Sequence, residues 1–223
     1  METCTLLSNS KEWQIFAFEG RAGHPDEDPI QLSSPFVQQW QIDTAFKLDG
    51  SAYHWHYKSQ RSSSINEAVR TAKTFSSDKK IAVLGFSNGG HAAILFVHAL
   101  AELGIPVEIA VTVDPIKKPS YFFLPDEKAL SNSTSTPWIN AYQETDDNSL
   151  MGAFPLRGNP VSNAKTNDEY TDLGPKGHIA IPLDKRVRKG ITDALAKAGV
   201  PENKSNTVAA LPDTAVSNAV VIW

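Results

Sequence analysis

Cysteine is nearly missing from this 223-residue sequence: Cys4 stands alone, so no internal disulfide can form and stability must come from packing. Its thiol is read as free and non-catalytic. Positive charge is not in excess either. The 21 lysines and arginines face 25 acidic residues, a formal net charge of −4, and the basic residues are scattered rather than gathered into a stripe. Such a surface has no basic field with which to hold a phosphate backbone, so nucleic acid is not expected as a partner. Long apolar runs are absent too. Nothing approaches the roughly 20 residues that span a bilayer, and the opening METCTLLSNSKEW has neither the basic start nor the apolar stretch of a secretory signal. No transmembrane segment is expected, and the expected location is the cytoplasm, or beyond it after export without a cleavable signal. There is no visible internal repeat.

What is present suffices for one core. With 41% hydrophobic residues, a chain of this length is expected to form a single domain over 1–223. WQIFAFEG (13–20) is a β-rich run ending in glycine, and SAYHWHYKS (51–59) alternates Tyr53, Trp55 and Tyr57 against His54 and His56; both read as strands. Ser64 and Glu67 form a capping-box pattern, with Ile65, Ala68, Val69, Ala72 and Phe75 recurring at helical spacing over about three turns. IAVLGF (81–86) lacks polar alternation, as a strand buried on both faces does. A helical stripe of Ala92, Leu95, Phe96, Ala99, Leu100 and Leu103 follows, stopped by Gly104 and Pro106. VEIAVTVDP (107–115) and PWINAYQ (137–143) read as further strands. Leu183, Val187, Ile191, Leu195 and Ala198 mark a last helix ended by Gly199 and Pro201. Strands alternating with helices predict an α/β fold, a three-layer αβα sandwich around a mostly parallel central sheet. Residues 144–177 show neither period, and Met151, Phe154, Leu156 and Tyr170 among their polar residues make them either a lid or pocket wall or a plain surface loop. The tail, 200–223, is apolar enough at its end to dock on the body or on another subunit, so the oligomeric state stays open.

Between the third strand and its helix the chain reads GFSNGG, with Ser87 two residues after Gly85 and two before Gly89. A serine in a turn that joins a buried strand to a helix needs small neighbours, because the helix comes close against the strand and the central backbone is strained. That turn stands at the carboxyl end of the sheet, where open α/β folds bind ligands, and at the amino end of a helix, which favours negative charge. A serine hydroxyl is a poor nucleophile at neutral pH and needs a base oriented by a carboxylate. Of the six histidines, His178 in GPKGHIAIP is best situated, in a Gly/Pro loop before the final helix. His91 and His98 belong to the helix after the turn and read as packing residues. His54 and His56 share a strand face but have no third metal ligand at sensible spacing, and His24 with Asp26, Glu27 and Asp28 reads as a solvated loop. For the acid, Asp114 ends the strand VEIAVTVD at the same sheet edge; Asp146 and Asp147, after the next strand, are the alternatives.

Through GFSNGG around Ser87, VTVDP ending in Asp114 and GPKGHIAIP around His178, in the order serine, acid, histidine, residues 13 to 198 resemble the α/β-hydrolase superfamily, most nearly its small lipase and esterase members. An acid directly after the strand beside the nucleophile strand is similar to pancreatic-type lipases; many relatives carry it one strand later. The resemblance implies Ser87, Asp114 and His178 as catalytic residues of an ester-cleaving serine hydrolase. It further implies an oxyanion hole from the backbone N–H of Asn88 and a second donor, Arg21 or Ala22, in the loop GRAGH. No metal and no organic cofactor is implied, and the implied partner is a small-molecule or lipid ester. Acyl transfer to another acceptor, thioester cleavage, or a non-catalytic binding protein that keeps the fold are the alternative readings.

Overall fold

The computed structural model describes residues 12–19, 52–58, 62–75, 77–116, 134–143, 158–173 and 177–200. Among the described residues six strands lie in one sheet: β1 (Trp13–Glu19), β2 (Ala52–Lys58), β3 (Lys80–Phe86), β4 (Ile109–Val113), β5 (Trp138–Tyr142) and β6 (Thr166–Glu169), in the order β2-β1-β3-β4-β5-β6. Every pairing is parallel. Alternation along β1 and β3 feeds two cores. Trp13, Ile15 and Ala17 of β1, with Ala82, Leu84 and Phe86 of β3, enter one apolar cluster; Phe16, Phe18, Ile81 and Val83 enter the other. A strand buried on both faces can spare no polar positions, which is why IAVLGF reads as a continuous apolar run.

Helices cover both faces. Helix α1 (Ser62–Ala72) and α2 (Asn88–Glu102) close the face of Phe16 and Val83 through Ala68, Ala72, Phe96 and Val97. The other face is closed by a one-turn helix α3 (Gly177–Ala180), a 3-10 turn (Ile181–Leu183) and α4 (Lys185–Lys197), through Ile181, Val187, Ile191 and Leu195. This is the expected three-layer αβα sandwich, with a sheet parallel throughout the described strands. Among the described residues no helix is long and apolar enough to cross a membrane.

Three local expectations are corrected. Helix α1 begins at Ser62, two residues ahead of the capping box at Ser64, because a run of three serines offers the helix more than one start. The buried face of α2 is only in part the predicted stripe: Ala92, Phe96 and Leu100 are buried as expected, but Leu95 and Leu103 are exposed at 38% and 46%, while Gly89, Gly90, Ala93, Ile94 and Val97 are buried as well. The turn sets that phase. With Gly89 held against the strand, the residues one and two turns on, Ala93 and Val97, must face the sheet as well. The helix does end as expected, in left-handed Gly104 (φ 70°), with Ile105 N–H donating to Leu100 O and Gly104 N–H to Ala101 O. The third correction lies within 144–177, read as a lid or loop. Residues 166–169 form an edge strand, β6, and Val161 is fully buried beneath it. Its sequence TNDE has low β-propensity and no alternation; backbone pairing to β5 alone makes it a strand. Residues 144–157 and 174–176, the tail from 201 onward and Cys4 lie outside the described residues.

The close approach at the turn has a measurable cost. A Cβ at Gly85 would stand 2.5 Å from Gly89 O and 2.8 Å from Ala93 Cβ, whereas one at Gly190, exposed in α4, meets nothing within 4 Å. Gly85→Ala is expected to lower unfolding free energy by about 1–3 kcal/mol, and Gly190→Ala to raise it by roughly 0.5–1 kcal/mol. Urea denaturation midpoints at constant slope check both; a Gly85→Ala protein as stable as its parent contradicts the packing described.

Candidate active site

β1 lies between β2 and β3, so the order of strands reverses there, and the crevice above the carboxyl ends of β1 and β3 is where such sheets take up ligands. Ser87 follows β3 at that edge. Its backbone is in a region that side chains rarely adopt, φ 56° and ψ −128°, held by its own N–H donating to Val113 O (3.0 Å) and by its carbonyl accepting from Gly90 N–H (2.9 Å) and Ile116 N–H (3.0 Å). Those bonds interlock the serine turn with the exit of β4. Gly90 is part of the same joint, since a Cβ there would come within 2.6 Å of Pro115 Cβ.

Asp114, the first residue beyond β4, also has a left-handed backbone (φ 47°), which turns its side chain along the sheet edge. The carboxylate is fully buried. Oδ1 accepts from Gln143 N–H (2.9 Å), and Oδ2 accepts from the Gln143 side-chain amide (3.2 Å) and from His178 Nδ1 (2.5 Å). An ionised carboxylate only accepts, so Nδ1 carries the proton and Nε2 presents its lone pair. That lone pair meets Ser87 Oγ at 3.0 Å. Ser87, His178 and Asp114, 91 and 64 residues apart along the chain in their two contacts, thus form one hydrogen-bonded line. All three are buried.

Several residues that build this line were not singled out from sequence. Phe86 stacks on the His178 ring, centroids 5.0 Å apart and planes at 20°, so the imidazole is anchored at both nitrogens and on one face. An aromatic face also favours a cation above it, the state the ring reaches when it takes a proton. Gly158 packs so tightly on the acid that a Cβ would fall 1.7 Å from Asp114 Oδ1. The segment bearing Gly158 is pinned by a polar network. Asn140 of β5 accepts from Thr112 (2.7 Å) and donates to Asn159 O (3.0 Å) and Asn167 Oδ1 (2.9 Å); Trp138 Nε1 donates to Thr112 Oγ1 (3.0 Å). A polar residue directly beyond a strand at this edge is the one signal that could have flagged Gln143. Gly158 carries none.

The histidine segment is bracketed from outside. Arg186 of α4 forks onto Asp172 (2.8 and 2.9 Å), which follows β6, and onto Asp184 (2.8 and 3.0 Å), which also caps α4 by accepting from Arg186 N–H. Hydrogen bonds from that guanidinium hold both carboxyls below the usual carboxylate range. Exposed pairs of this kind contribute little stability, but they fix where the chain leaves and rejoins the sheet around His178.

Of the expected residues, Ser87, Asp114 and His178 are brought together, and Asn88 begins α2 with its backbone beside Ser87. Arg21 and Ala22, the other expected oxyanion donors, and Asp146 and Asp147, the alternative acids, lie outside the described residues. His91 and His98 are half-buried along α2.

No protein-family model matches the chain, and no curated protein does so significantly. Solved structures do. An esterase from Pyrobaculum calidifontis is 16% identical with a TM-score of 0.50, over 85% of this chain and 76% of that one. Human thioesterase 2 (13%, TM-score 0.49) and a cutinase-like protein from Cryptococcus sp. (13%, TM-score 0.47) align over 84% and 86% of this chain and 95% and 98% of theirs. The likeness to the Pyrobaculum structure, with the sheet order above, shows that the chain has the α/β-hydrolase fold.

The Gly158 contact predicts a site-specific defect. Gly158→Ala must displace the Asp114 carboxylate or the strap itself, whereas Lys165→Ala in the same segment is exposed and should be silent. In amide and imidazole NMR spectra, the first change is expected to shift the His178 ring signals and the second to leave them in place; unchanged ring signals in Gly158→Ala contradict the contact.

Proposed function

We propose that the protein is a serine hydrolase of carboxylic esters, acting through an acyl-enzyme formed on Ser87. The observation that carries this reading is the unbroken line from Ser87 Oγ through His178 to Asp114, with the serine on a strained turn at the sheet's carboxyl edge. A nucleophile, a base within hydrogen-bond reach and an acid fixing the base's tautomer are the parts acyl transfer requires.

The chemistry follows from the positions. Ser87 Oγ attacks the ester carbonyl carbon while His178 Nε2 takes its proton. Asp114 holds the ring and balances the charge that appears on it, and the Phe86 face adds to that balance. The carbonyl oxygen, now an anion, turns toward the N–H of Asn88 at the start of α2, where the helix dipole favours it. Arg21 or Ala22 is the proposed second donor. The imidazolium returns its proton to the leaving alkoxide, the C–O bond breaks, and an alcohol departs. Water then attacks the acyl-enzyme with His178 again as base, releasing a carboxylic acid and restoring Ser87. The three side chains relay each proton, including the one water brings in the second half, and the backbone donors meet the anionic charge, so no step is assigned to a metal or organic cofactor. The substrate class is a small-molecule or lipid ester.

A fluorophosphonate probe followed by peptide mass spectrometry tests the nucleophile. Modification is expected at Ser87, and Ser87→Ala should abolish it along with p-nitrophenyl butyrate turnover, by about three orders of magnitude or more. Label elsewhere, or none on folded protein, removes the reading. For the acid, Asp114→Asn is expected to cut turnover by about 10³–10⁴-fold, with Asp146→Asn and Asp147→Asn near parent values; the reverse pattern reassigns the acid.

A further inference from the structure

Asp114 and His178 arrive at the sheet edge on different segments, and something must set the gap between them. Gln143 touches both. It is the first residue beyond β5 and is fully buried. Toward the acid it donates twice, backbone N–H to Oδ1 at 2.9 Å and side-chain amide to Oδ2 at 3.2 Å, so each carboxylate oxygen receives one of its hydrogens. Its carbonyl accepts from Gly158 N–H (2.9 Å), the residue pressed onto the same carboxylate. On its far side stands Gly177, immediately before His178, so close that a Cβ there would lie 2.9 Å from Gln143 Oε1.

The side-chain chemistry suits this position. Only the NH2 end of the amide can face a carboxylate, which leaves the amide oxygen toward Gly177. An aspartate's terminal torsion is soft, and a buried carboxylate with one donor fewer would turn or recruit another partner. Glutamate at 143 would set a second negative charge against Asp114; an apolar residue would leave the imidazole as the sole remaining donor to Oδ2 among those described above.

Resting on the serine-hydrolase reading, we infer that Gln143 is a positioning residue: it acts on the reaction only through Asp114, locking the carboxylate so that Oδ2 meets Nδ1 and spacing the acid from the histidine segment. None of the hydrogen bonds given above joins it to Ser87. A residue that merely fills the core would affect the enzyme whether or not Asp114 were intact, and this difference is measurable.

The test is a double-mutant cycle of Gln143→Met, which keeps volume and loses the donor, with Asp114→Asn. It is read as the rate of Ser87 modification by a fluorophosphonate and as kcat and KM on p-nitrophenyl butyrate. Gln143→Met alone is expected to lower the modification rate and kcat by roughly 10- to 100-fold, with KM unchanged. In the Asp114→Asn background the same change should alter either rate by less than about twofold. Should Gln143→Met not fold, Gln143→Asn, one methylene too short to reach Oδ2, is expected to show the same loss and the same silence in the Asp114→Asn protein. Equal losses in both backgrounds, a change confined to KM, or parent-like rates overturn the inference while the hydrolase reading stands. A parent protein whose Ser87 does not react at all removes both.

Discussion

The contact between Gly85 and the start of α2 is the constraint on which the site depends. A helix backbone passes where a side chain at 85 would be, and the turn that brings it there takes Ser87 into a positive-φ conformation at the sheet edge. The same geometry decides the phase of α2 and therefore which residues fill the core beneath it. It reaches across to the neighbouring strand as well. Ser87 gives its N–H to the last residue of β4 and receives an N–H from Ile116, so the serine turn and the loop bearing Asp114 are one hydrogen-bonded unit. Ser87 and Asp114 are therefore held relative to one another by backbone bonds that do not involve His178.

The imidazole comes from further along the chain and is held by contacts from several segments. Two in-plane hydrogen bonds, the Phe86 face and the bracket of Arg186 with Asp172 and Asp184 leave the ring little freedom. Each of these is modest in free energy, and together they replace the entropy that three distant segments lose when they meet. The polar network of Thr112, Trp138, Asn140 and Asn167 serves the acid in the same way, by holding the strap that carries Gly158. The network runs from the buried Thr112, Trp138 and Asn140 out to the exposed Asn167, and its shared hydrogen bonds restrain the strap.

How far this could be read from the residues alone follows from the kind of physics involved. The strand-to-helix turn was legible because a steric demand leaves glycine at fixed spacing around Ser87. Buried strands were legible because parallel sheets exclude polar positions; the order of serine, acid and histidine fitted Asp114 and His178 but fitted Asp146 and Asp147 as the acid equally well. The edge strand TNDE was not, since backbone pairing needs no particular side chains. Leu95 and Leu103 misled because residue size suggested a buried stripe, while the turn had already set the helix's rotation. Gln143, Phe86 and Gly158 act through space on partners far off in sequence, and no spacing rule encodes that.

The bend at residue 87 holds one hydroxyl 3.0 Å from an imidazole nitrogen, and the proposed mechanism sets the first backbone N–H of α2 against the oxyanion. A crystal structure of the protein after reaction with a phosphonate ester tests it most directly. The account predicts a tetrahedral phosphorus on Ser87 Oγ, one phosphoryl oxygen within hydrogen-bond distance of Asn88 N, and His178 still bonded to Asp114. A phosphoryl oxygen turned away from Asn88, or an imidazole separated from Asp114, contradicts it.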